Sequence, residues 1–213
     1  MKNLKYFLIF FFLFSNIASA EIYKDFLPYD SLATIKTKYP NAKLEDIKAA
    51  WLKTNESFIG LTGVGISGTI NLKFSNNDDY WKSTVENNQH EIEKNPTSDN
   101  SNREATIKTL NESLNLPLDQ RLTLDWLRWV PPQAIPFDRI VNKYGKPEKC
   151  DFEVDTYQPY CAWASKGVSV NLSDDKKYVY FIEYTFTLVD LGLEKPKPEL
   201  KRSNNSKKTK PNM

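Results

Sequence analysis

Histidine is almost absent from this chain, with His90 alone in 213 residues. A nucleophilic triad needs an imidazole placed beside a serine or cysteine, and His90 lies among Asn87, Asn88, Gln89 and Glu91 in a segment that reads as a solvated helix face. Cysteine is scarce too, limited to Cys150 and Cys161. Two thiols and one remote imidazole fall short of the four ligands of a structural zinc site, and no acidic cluster has the spacing of a calcium loop. The residues thus offer no catalytic constellation, no cofactor site and no metal site. Carboxylate pairs are the exception, because any two acids can meet in space.

Glycine is also rare, and four of its seven occurrences fall in FIGLTGVGISGTINLKF, residues 58 to 74. Within it GVGISG matches G-x-G-x-x-G. A dinucleotide loop follows a strand and opens a helix, with a carboxylate about 20 residues on. Here Gly68 opens an alternating strand, and Asp78-Asp79 arrives too early. The glycines are read as a tight hairpin between strands 57 to 65 and 69 to 75.

Long apolar runs are missing after the first twenty residues. MKNLKYFLIFFFLFSNIASA combines Lys2 and Lys5 with an apolar run from Tyr6 to Phe14 and closes on Ala18-Ser19-Ala20. That is the pattern of a signal peptide, with the mature chain starting at Glu21. No cysteine follows the cleavage site to take a lipid, and no transmembrane segment is expected in the mature chain. The protein is expected in the periplasm or outside the cell. In such an oxidising compartment Cys150 and Cys161 read as a disulfide.

The body is aromatic-rich, and its pattern is α+β. Asp30-Ser31 offers a helix cap before Leu32, Ile35 and Tyr39, and Pro40 ends that helix. Leu44, Ile47 and Trp51 have helical spacing. Helices are also expected at 80 to 94 and 104 to 115, with a loop at 95 to 103, and a strand at 121 to 130 stopped by Pro131-Pro132. The first pattern then returns. Phe137 to Gly145 lies over Leu32 to Pro40, and Val168-Ser169-Val170-Asn171-Leu172 lies over Ile70-Asn71-Leu72-Lys73-Phe74. This predicts two helix-then-meander units, residues 21–130 with a helical insertion at 80–116, and 131–194 with the disulfide.

From Lys195 the composition changes. KPKPELKRSNNSKKTKPNM carries seven cations against Glu199 alone. It reads as a disordered basic tail, residues 195–213, able to meet an anionic surface. Export makes nucleic acid an unexpected partner. Tyr178, Tyr180, Tyr184 and Phe186 are expected on one face of the last strand. Trp129, Arg128, Tyr157 and Tyr160 form the candidate interaction surface, since tryptophan, tyrosine and arginine favour interfaces.

The frame Leu32-x-x-Ile35-x-x-Lys38-Tyr39-Pro40 and its echo Phe137-x-x-Ile140-x-x-Lys143-Tyr144-Gly145-Lys146-Pro147, each leading into a strand meander, resembles the tandem arrangement of β-lactamase-inhibitory-protein-like domains. It is also similar to the small outer-membrane assembly lipoproteins of the SmpA/OmlA type. The resemblance implies helices on one face of an antiparallel sheet and a function in binding other proteins. The missing lipidation cysteine and the segment 80–116 depart from that pattern. The expected function is an exported, non-catalytic binding protein of the bacterial envelope, whose partner is a protein or an envelope polymer. The alternative is a small carboxylate-dependent hydrolase acting on envelope polymers.

Overall fold

The structure, a computed structural model, describes residues 25–154 and 156–195. The expected signal peptide and the basic tail beyond Lys195 lie outside the described residues. The described chain is α+β, and all its strands join one antiparallel sheet of nine.

Helix α1 spans Leu32–Lys38, and the Ser31 hydroxyl accepts the Thr34 N–H at 3.1 Å, a side-chain cap. It leads into β1 (Lys43–Asp46), β2 (Glu56–Thr62) and β3 (Thr69–Ser75). Two helices follow, α2 (Asp78–Lys94) and α3 (Ser101–Leu114), then the short α4 (Leu118–Arg121) and strand β4 (Thr123–Val130). There follow β5 (Ile135–Pro136), α5 (Phe137–Tyr144), β6 (Lys149–Phe152), β7 (Pro159–Trp163), β8 (Val168–Leu172) and β9 (Tyr178–Thr185). The strand order across the sheet is β1-β2-β3-β4-β9-β8-β7-β6, with the two-residue β5 beside β9. β1 to β4 are thus successive neighbours on one side of the sheet and β6 to β9 on the other, and the two sets join through β4 and β9.

Leu44, Ile47 and Trp51 do not form the expected helix. Lys43–Asp46 is the edge strand β1, and residues 47 to 55 are a loop. Three apolar residues at helical spacing cannot outweigh a strand partner already in place: Leu44 pairs with Leu61 and Asp46 with Ile59. The helical insertion is present as α2 and α3, and the Arg121–Asp78 ion pair closes its base. His90 lies on α2 and is exposed.

The core sits where alternation puts it. Ile70, Leu72 and Phe74 of β3 and Val168, Val170 and Leu172 of β8 are buried in one cluster with Leu32 and Ile35 of α1 and Ile140 and Tyr144 of α5. Two tryptophans complete it, each with its indole satisfied. Trp129 donates to the Ser67 carbonyl at 3.0 Å and Trp163 to the Gly145 carbonyl at 2.9 Å. Within the glycine cluster, Gly60 has a packing reason. A Cβ on Gly60 would lie 3.3 Å from the Ile47 side chain, so this position lets the 47–55 loop fold over β2.

Cys150 and Cys161 form the expected disulfide. They are direct cross-strand partners on β6 and β7, with Cα atoms 4.1 Å apart. Closing this short loop is worth about 3 kcal/mol, and it fastens an edge strand whose four residues are all exposed. Among the described residues no helix is long and apolar enough to cross a membrane.

Candidate binding face

Strand register places a row of side chains across the whole sheet, on the face opposite the core. It runs Glu45, Gly60, Asn71, Arg128, Glu183, Ser169, Ala162, Lys149, each residue paired with the next. Arg128 and Glu183 stand at its centre, where β4 meets β9. Arg128 donates from Nη2 at 2.6 Å and Nε at 3.0 Å to one carboxylate oxygen of Glu183. Both side chains keep about a quarter of their surface in water, at 26% and 27%.

Aromatic rings surround the guanidinium. The centroid of Phe181 lies 4.1 Å from it, Trp126 5.5 Å and Phe58 5.8 Å. Trp51, on the loop after β1, packs on Phe58 at 5.3 Å and lies nearly parallel to Trp126 at 6.4 Å. Trp51 is 52% exposed while Phe58 beneath it is 4% exposed. Stacking on an aromatic face and pairing with a carboxylate together hold the arginine in one orientation without removing it from solvent. Tyr178 and Tyr180, further along β9, are both about half exposed.

Beside this cluster Lys73 joins two carboxylates, Glu56 and Asp125, at 2.9 Å each. The Glu56 carboxyl is held below its ordinary value by the Lys53 backbone N–H and by the Lys73 ammonium. Burial pulls the Lys73 ammonium down, but its bonds to Asp125 and Glu56 outweigh this and leave it raised. The lowered carboxyl stabilises the fold above its unfolded value near 4.5 and loses that contribution as pH falls through its folded value. The raised ammonium stabilises below 10.5 and loses its contribution as pH rises through its folded value.

Lys73→Met is therefore expected to cost about 2 kcal/mol at pH 7, less than a fully buried pair because Asp125 keeps 31% exposure. The loss should shrink at pH 4, because the pair of Glu56 with Lys73 gives up its contribution in the unaltered chain as pH falls through the folded value of Glu56. Urea unfolding at both pH values checks this, and an equal loss at each would show that charge is not the cause.

The candidate surface read from the sequence is only partly present. Arg128 lies on the face at its centre. Trp129 does not: it is 5% exposed and belongs to the core, because a strand sends neighbouring side chains to opposite faces. Tyr160, on β7 opposite Asn171, shares the face, and Tyr157 is 81% exposed on the turn between β6 and β7. The four aromatics of the last strand divide. Tyr184 is buried and Phe186 packs on the core, while Tyr178 and Tyr180 are exposed, because the register of β8 against β9 shifts between Asn171 and Leu172. Trp51, Phe58, Trp126, Phe181 and Glu183 were missed. Strand alternation of Trp126 with Arg128 carried the signal for one of them; Trp51 reaches the cluster from a loop and left none.

Among the described residues no group of histidine, cysteine, aspartate and glutamate is placed to hold a metal ion. Comparison with protein-family models, with curated proteins and with solved structures finds no match.

Proposed function

We propose that this chain is an exported, non-catalytic binding protein of the bacterial envelope, and that it holds a protein or an envelope polymer against the sheet face around Arg128. One observation carries the reading: a partly solvated arginine fixed among three aromatic rings at the centre of a sheet face, with Trp51 exposed beside them. Tryptophan, tyrosine and arginine dominate binding energy where they are preorganised and partly desolvated. The repeated helix-then-meander order supports descent from a duplicated unit, as the resemblance to β-lactamase-inhibitory-protein-like domains implies. The disulfide fits maturation in an oxidising compartment, and the leader supports cleavage after Ala20. In this reading the basic tail adds attraction to anionic surfaces.

The hydrolase alternative rests on Glu56 and Asp125, brought together by Lys73. A glycoside hydrolase keeps one carboxyl protonated as its acid. Glu56 is held in the opposite direction.

A cross-linked pull-down from the envelope fraction tests the proposal, using the chain as it is, the chain ending before Lys195, Arg128→Ala and Trp51→Ala. One saturable partner is expected from the first two. Each alanine variant should weaken its capture about thirtyfold, the effect of losing a binding hot spot. Undiminished capture by Trp51→Ala, an exposed position whose change leaves the core intact, would remove the face from the argument.

A further inference from the structure

The central row of the face has a charge pattern that reverses across the seam between β4 and β9. Reading outward, Arg128 stands against Glu183 and Glu45 against Lys149, with small or neutral residues between them. Opposite charges therefore occupy equal distances on either side of the seam.

The large side chains are arranged by the same register. On the β1 to β4 side, Phe58 and Trp126 lie to one end of the row, next to Lys73. On the β9 to β6 side, Phe181 and Tyr160 lie to the other end, next to Asn171. The remaining two quadrants hold Val130, Thr69 and Thr62 in one, and Thr185 and Gly167 in the other. Bulk and void thus alternate diagonally.

We infer that the occupant of this face is a second copy of the same chain, turned over about an axis that follows the seam and packed sheet against sheet. The inference rests on the reading of the face as a binding surface and names its partner. Such a rotation lays β1 over β6 and β4 over β9. Each Arg128 then meets the other copy's Glu183, and each Glu45 meets the other copy's Lys149. Trp126, with Trp51 stacked on it, falls toward Thr185, Phe181 over Val130 and Tyr160 over Thr62, so each ring lies over a smaller side chain.

Asn71 comes over Ser169 and Asn171 over Thr69.

Other two-fold arrangements do not satisfy the charges. An axis along the row would put Arg128 over Arg128. The area is sufficient as well. Eight strands about 4.8 Å apart and about 20 Å long give a face of roughly 700 Å² per copy, within the standard size of a specific interface.

The test uses the outer charge pair, which is exposed in the single chain, where Lys149 also meets Asp151 of its own strand at 3.0 Å in a largely solvated pair. Sedimentation equilibrium of the exported, purified chain is expected to show a concentration-dependent dimer. Glu45→Lys and Lys149→Glu, each alone, bring like charges together twice in the dimer and should raise its dissociation constant about tenfold. An equimolar mixture of the two variants restores both pairs, so it should associate within about threefold of the unaltered chain, with the advantage fading in high salt.

A monomer at every concentration overturns the inference, and so does a dimer indifferent to both variants. Either result leaves the binding reading itself to be decided by the Trp51→Ala pull-down. A foreign partner displaced by Trp51→Ala, from a chain that never self-associates, would place another molecule on the face and overturn the dimer alone.

Discussion

Gly167→Ala is expected to abolish the native fold at concentrations of urea that leave the unaltered chain intact. A Cβ built there would lie 2.1 Å from the Thr185 carbonyl oxygen, and the residue has φ +61, where side chains are strained. Thr185 cannot retreat, since its own N–H donates to the Gly167 carbonyl at 2.8 Å. Gly68, at the start of β3, is in the same position relative to the other meander, with a Cβ 2.2 Å from the Val130 carbonyl oxygen at φ +93. Each glycine thus lets the strand it opens, β8 or β3, approach the end of its neighbour.

The expected loss is more than about 4 kcal/mol for either substitution, a large part of the stability of a domain this size. Gly65 and Gly192 supply the control. Both have positive φ with nothing within 4 Å of the built Cβ, so alanine there should cost only the conformational strain, about 1–2 kcal/mol. Midpoints of urea unfolding for the four variants decide the matter. If Gly167→Ala loses no more than Gly65→Ala, the close approach does not hold the strands.

These glycines also show how far the chain could be read in advance. Ile70-Asn71-Leu72-Lys73-Phe74 and Val168-Ser169-Val170-Asn171-Leu172 announce their strands because one face is buried and alternation is forced. β1 was hidden because Lys43–Asp46 is an exposed edge, where burial imposes no alternation. The inserted helices were legible from spacing, their turn positions from composition. The binding face was less so. Arg128 could be chosen as an interface residue, but whether Trp126 or Trp129 shared its side follows from alternation only once the strand is fixed. That assignment puts Trp129 in the core. Phe58, Phe181 and Glu183 join Arg128 through pairing across distant strands, which no local pattern encodes, and Trp51 joins it from a loop.

The pairing at the seam can be put to a sharper test than deletion. Arg128→Glu places two carboxylates directly opposite each other on β4 and β9, at positions that keep only about a quarter of their surface in water. It also strips the aromatic rings of their cation. The expected cost is about 3 kcal/mol, reflecting like charges held together and the lost pair. Glu183→Arg alone should cost a similar amount for the mirrored reason. The double variant Arg128→Glu with Glu183→Arg behaves differently, because register makes the two positions interchangeable. An arginine at 183 has Phe181 two residues before it on β9 and Trp126 diagonally across the seam, as Arg128 has Trp126 on its own strand and Phe181 across. The swap should therefore recover more than half of the stability lost by either single change. The coupling read from a double-mutant cycle of urea unfolding measures it. Additive losses would mean that the surroundings of Arg128 are particular to β4, and the seam would then be two unlike strands that happen to meet rather than two positions sharing one environment.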